Sequence, residues 1–140
     1  MNRRALSRRQ LGWLAGAGVL LAAGSAWGGT YLNRAVVLLT GALREASYLR
    51  ARIADRELAG MVHRLAEARL AAATAMTVPK EVALAHPHLL LVLECYEQAS
   101  EAAMRGEAER FTTYFQRAQD EERTFRAVLK SNGWLLPDSP

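Results

Sequence analysis

The sequence predicts an all-α protein: an N-terminal transmembrane or signal helix followed by a three-helix antiparallel bundle, built from one long helix and a helical hairpin. Three observations carry this. Residues 10–33 hold no charged side chain, and a bilayer-spanning helix needs about 20 predominantly apolar residues. Beyond that run no window sustains the two-residue alternation of a strand, while apolar residues recur at three and four. Ala, Leu, Arg and Glu dominate, and all four are strong helix formers. A chain of 140 residues has room for one domain and an appendage. The boundaries read from charge and apolar pattern are a basic tail (1–9), an apolar segment (10–33), a bundle (34–136) and a polar tail (137–140).

The first element is a membrane address. Arg3, Arg4, Arg8 and Arg9 precede the uncharged run, and Trp13, Trp27 and Tyr31 lie near its ends. Aromatic residues favour the water–lipid interfaces, and positive flanks stay in the cytoplasm. The N-terminus is therefore expected in the cytoplasm and the bundle in the periplasm, with the chain crossing a bacterial inner membrane once. Three forms of this segment compete. One is an uncleaved signal anchor. Another is a secretory signal cleaved after Gly24-Ser25-Ala26. The third is an export signal, because Ser7-Arg8-Arg9-Gln10-Leu11 resembles the twin-arginine consensus. The apolar run extends past Ala26 to Leu32, longer than a signal-peptide core, and favours the anchor. Gly12 with Gly16, and Gly24 with Gly28, stand four apart. That spacing lets a second membrane helix approach closely.

The bundle follows in order. Leu32, Val36, Leu39, Leu43, Ala46 and Ile53 form one stripe, which then changes phase to Leu58, Val62, Leu65, Ala68, Ala72 and Ala75. With no proline before Pro79, the shift reads as a stutter within one helix. That helix would run from about residue 11 to 76, roughly 100 Å at 1.5 Å per residue, with Gly28-Gly29 as its weak point. Thr77-Val78-Pro79 ends it. Pro87 opens a second helix over about 87–105, with Leu89, Val92, Leu93, Tyr96, Ala99 and Ala103 inward. After a turn at Arg105-Gly106-Glu107, a third helix over about 107–131 places Ala108, Phe111, Phe115, Ala118, Phe125 and Leu129 on one face. Asn132-Gly133 is a C-terminal cap, and the apolar Trp134 can fold back on the last turn.

Charge excludes one large class of function. The net charge of +4 resides in the four N-terminal arginines, and the remaining 14 basic residues balance the 14 acidic ones. A body of zero net charge has no excess with which to neutralise phosphates, so nucleic acid is not an expected partner. Within the body, residues 30–79 are net positive and residues 80–140 net negative, so the first helix and the hairpin are electrostatically complementary.

No pattern in the sequence points to catalysis, a metal or a cofactor. His86 and His88 lie near Cys95, but seven residues of helix separate His88 from that thiol by about 10.5 Å, too far for one zinc shell. His63 reads as a partly exposed helical residue. Glu97, Glu101, Asp120, Glu121 and Glu122 read as a solvated face. Cys95 has no partner for an intrachain disulfide. P-loop, dinucleotide and nucleophile-elbow patterns are missing. The expected function is thus non-catalytic: an accessory or scaffold subunit of a membrane assembly, or a homo-oligomer. Trp134, Leu135 and Leu136 are candidate partner contacts. The alternative is an exported bundle that senses or carries a small apolar molecule among Phe111, Tyr114, Phe115 and Phe125.

Overall fold

The computed structural model describes residues 11–137, with side chains described from Gly29 onward. Those residues are helical, without strands: α1 (Leu11–Arg50), α2 (Arg56–Thr74), a 3-10 turn (Lys80–Val82), α3 (His86–Met104) and α4 (Ala108–Ser131). Short turns at 51–55 and 105–107 join α1 to α2 and α3 to α4, and the longer segment 75–85, which holds the 3-10 turn, joins α2 to α3. α3 is central and packs on α1, α2 and α4.

The long helix expected over 11–76 is two helices, so the bundle has four rather than three. The break falls at residues 51–55, where the apolar stripe changes phase. Leu49, at the end of the first stripe, and Ala59, at the start of the second, are both buried. The chain reverses between them. Arg52 N–H bonds Leu49 C=O at 2.9 Å, and Asp55 N–H bonds Arg52 C=O at 2.9 Å. Asp55 is extended at φ −81° and ψ 92°, and its carboxylate accepts from Leu58 N–H at 2.9 Å. This is an N-cap, which satisfies one of the four free donors at a helix start. Asp55→Ala is expected to lower stability by about 1 kcal/mol, read as a shifted urea midpoint. By contrast, α1 runs unbroken through Gly28-Gly29, the expected weak point.

α1 contributes Tyr31, Leu32, Ala35, Val36, Leu39, Ala42, Ala46 and Leu49 to the core. The last residues of the uncharged run therefore belong to the bundle. The inner face of α2 differs from expectation. Ala59, Val62, Ala66 and Ala73 are buried, while Leu65, Ala68, Ala72 and Ala75 face outward. Alanines seven apart form a thin seam on which neighbouring helices approach closely. The bulkier Leu65 would not fit there.

The hairpin matches its stripes and lies within two residues of its expected ends. All six inward residues of α3 are buried, as are Phe111, Phe115, Ala118, Phe125 and Leu129 of α4. Ala108, in the first turn of α4, is exposed. Both helices close with the same device. Gly106 at φ +76° and Gly133 at φ +81° occupy the left-handed region. The next N–H groups, of Glu107 and Trp134, reach back to Ala102 and Leu129 C=O, each at 2.9 Å. This is the Schellman arrangement, which glycine adopts without the Cβ clash that other residues meet.

The expected charge complementarity between the halves is carried by little direct pairing. Among the described residues, Arg69 on α2 pairs with Glu45 on α1 and His88 on α3 with Glu121 on α4. Both pairs lie within one half. His63 and Glu97 pair across the halves, and the Arg50 guanidinium sits 5.0 Å over the Phe115 ring.

Candidate functional site

The surface feature that the core does not consume is a stripe along the outside of α2. Met61, Leu65, Ala68 and Ala72 recur at four, three and four, which stacks them on one helix face. Met61 is 51% and Leu65 47% exposed, with Val37 of α1 at 59%. The stripe runs into a groove of about 500 Å³ between α1 and the end of α2. Asn33, Arg34, Val37 and Leu38 line one wall, Ala72 and Met76 the other. The groove is mostly apolar, with Thr30 and Asn33 polar and Arg34 bringing a positive charge to it.

These residues offer packing surface and one cation, not a reacting group. Isolated exposed apolar residues need no explanation, but a strip of them on one helix face beside a groove is a candidate contact surface. Reading the sequence alone assigned Leu65, Ala68 and Ala72 to the core. The available signal was the row Ala59, Ala66, Ala73, which competes with them for the inner face.

The candidate residues from the sequence fall in several places. Gly12, Gly16, Gly24 and Gly28 lie outside the residues whose side chains are described. Trp134 and Leu136 pack back on the core, while Leu135 stays exposed. Phe111, Phe115 and Phe125 are buried. Phe111 stacks on Phe115 at 5.8 Å, and Tyr96 meets Phe115 edge-on at 5.8 Å. Tyr114 is half-buried and lines a separate polar cleft with Gln98, Glu101 and Arg110. The rings of α4 thus spend their area on each other and on α3.

His86, the first residue of α3, is hydrogen-bonded through Nδ1 to the Tyr31 hydroxyl at 2.9 Å. Burial lowers the imidazole's pKa and raises that of the phenol, so both are held neutral. Cys95 is buried, and burial pushes its thiol pKa up against the opposing pull of Arg117. Thiolate is the reactive form. Cys95 is therefore expected to resist alkylation in the folded protein at pH 8 and to react at once in denaturant, measured by mass shift.

The chain matches no family model, no curated protein and no solved structure. Among the described residues no helix is long and apolar enough to cross a membrane. The candidate anchor, residues 10–33, lies almost wholly before the described side chains.

Proposed function

We propose that the chain is a non-catalytic, single-pass inner-membrane protein whose periplasmic bundle serves as an accessory or scaffold subunit of a membrane assembly. The observation that carries this reading is the outer stripe of α2, which ends in the groove against α1. The bundle buries its own core without Met61, Leu65 or Val37, which leaves those side chains for a second protein. The continuity of α1 adds to it. One helix carries both the uncharged run and the first wall of the groove, so an anchored chain would hold the groove close to the bilayer surface. A partner helix leaving the same membrane could then lie along the stripe, and the paired glycines would let the two approach within the lipid.

The test is purification of the full chain from its own membranes in mild detergent, with identification of proteins present in stoichiometric amount. Defined membrane partners that are lost in a Leu65→Asp variant support the subunit reading. A chain that purifies alone, with the same size before and after that change, removes it. A mature N-terminus at Trp27 removes the anchor. It would favour an exported carrier, for which the groove of about 500 Å³ has the size of a small-molecule site.

A further inference from the structure

We propose that His63, Glu67 and Glu97 form a divalent metal site between α2 and α3, and that the ion it takes is Zn²⁺. The proposal stands apart from the membrane reading and rests on different residues. His63 and Glu67 are one turn apart on α2 and share a face, while Glu97 comes across from α3. One nitrogen of the imidazole and one oxygen of each carboxylate lie within 4.8 Å of one another.

The hydrogen bonds decide which nitrogen is free. The buried Ser100 hydroxyl donates its one hydrogen to Glu97 C=O at 2.7 Å. Its oxygen can then only accept, and His63 Nδ1 stands 3.2 Å away. The imidazole therefore donates from Nδ1, and Nε2 is the nitrogen open to an ion. Nε2 faces Glu67 Oε1 at 3.5 Å. A cation seated between those two atoms would satisfy both lone pairs. A ring N–H held by a protein oxygen, with the other nitrogen turned to the ion, is the usual setting of a metal-binding histidine.

The charge around the site points the same way. Among the described residues neither Glu67 nor Glu97 has a Lys or Arg within ion-pair distance; each pairs with His63 alone. A dication would relieve this crowding of negative charge. Bonds of about 2.0–2.2 Å to a tetrahedral ion place donors roughly 3.4 Å apart. Glu67 is 59% exposed and free to close in, while Glu97, 21% exposed and 3.6 Å from Nδ1, has to swing its carboxylate towards Nε2. One imidazole and two carboxylates suit zinc better than the hard cations Mg²⁺ and Ca²⁺. Three protein donors leave a fourth position for water.

The sequence alone hid the site. Glu97 is far from His63 along the chain, and only the packing of α2 on α3 joins them.

The experiment is a Zn²⁺ titration of the full chain, carrying no histidine tag, after treatment with chelator in mild detergent. One ion per chain is expected, with a dissociation constant on the order of micromolar or tighter. Glu67→Gln leaves the core untouched and should weaken binding at least about 10-fold, as should His63→Gln. Ser100→Ala removes the orienting contact and should cost about 10–100-fold, while His88→Gln should change nothing. Co²⁺ in place of Zn²⁺ should give the visible bands of a four-coordinate centre, lost in Glu67→Gln. Failure to take up Zn²⁺ at about 100 times micromolar concentration overturns the proposal. So does uptake that both the Glu67→Gln and His63→Gln variants retain, since the ion would then lie elsewhere.

Discussion

Replacing Tyr31 with alanine is expected to destabilise the bundle by about 3–5 kcal/mol, the range for truncating a buried aromatic ring. Tyr31 is 2% exposed. Its ring meets His86 edge-on at 5.7 Å, and its hydroxyl shares a hydrogen bond with Nδ1 at 2.9 Å. The pair joins α1, where it enters the bundle, to the first residue of α3. Tyr31→Phe separates the two contributions: it keeps the ring and should cost only about 1 kcal/mol for the hydrogen bond. The pH dependence has a definite sign. Burial holds the folded His86 below its ordinary 6.5, so below that value the unfolded chain binds the proton more readily. Stability is full above pH 6.5 and falls as pH drops from there towards the folded pKa. Thermal midpoints at pH 7.5 and 5.5 should differ in this direction. The difference should shrink in Tyr31→Ala, which opens His86 to water. A Tyr31→Ala midpoint equal to wild type would mean that the bundle starts later in α1.

The hairpin was legible because its signals are local and agree. Pro87 sits in the first turn of α3, Gly106 and Gly133 stand where positive φ is required, and the aromatic stripe of α4 has no rival for the inner face. The first half was harder because its signals compete. Neither glycine nor proline lies between Leu43 and Gly60, and Arg50, Ala51 and Arg52 are good helix formers. The reversal there depends on a tertiary outcome, the burial of Leu49 and Ala59 on opposite sides of the turn, fastened by the Asp55 cap. The phase change was visible, but a stutter and a turn give the same pattern. On α2 the three-and-four spacing fits the row through Leu65, Ala68 and Ala72 as well as the row through Ala59, Ala66 and Ala73, and close helix approach selects the second. The contacts of His63 with Ser100 and Glu97 arise from packing between elements, and helical periodicity carries no trace of them.

Two neighbouring residues on α2 should respond in opposite ways. Ala66→Leu is expected to cost about 1–3 kcal/mol, the range for forcing methylenes into a packed interior. Ala66 is buried beside Ala42, Ala46, Leu93 and Tyr96, around a gap of about 10 Å³, and the three carbon atoms that leucine adds exceed it. The new side chain would also press on Arg69, which lines the same gap and pairs with Glu45. Leu65→Ala is expected to change stability by under about 0.5 kcal/mol, as for surface positions outside special features. Its effect should appear instead in association, as a weaker complex with the proposed protein partner. Urea midpoints of the two variants read the first quantity, and retention of the partner through detergent washes reads the second. If Leu65→Ala were as destabilising as Ala66→Leu, the outer stripe would belong to the bundle itself. A neutral Leu65→Ala that sheds its partner would assign the two sides of α2 separate work: alanines that draw the chain's own helices together, and larger apolar residues that meet another protein.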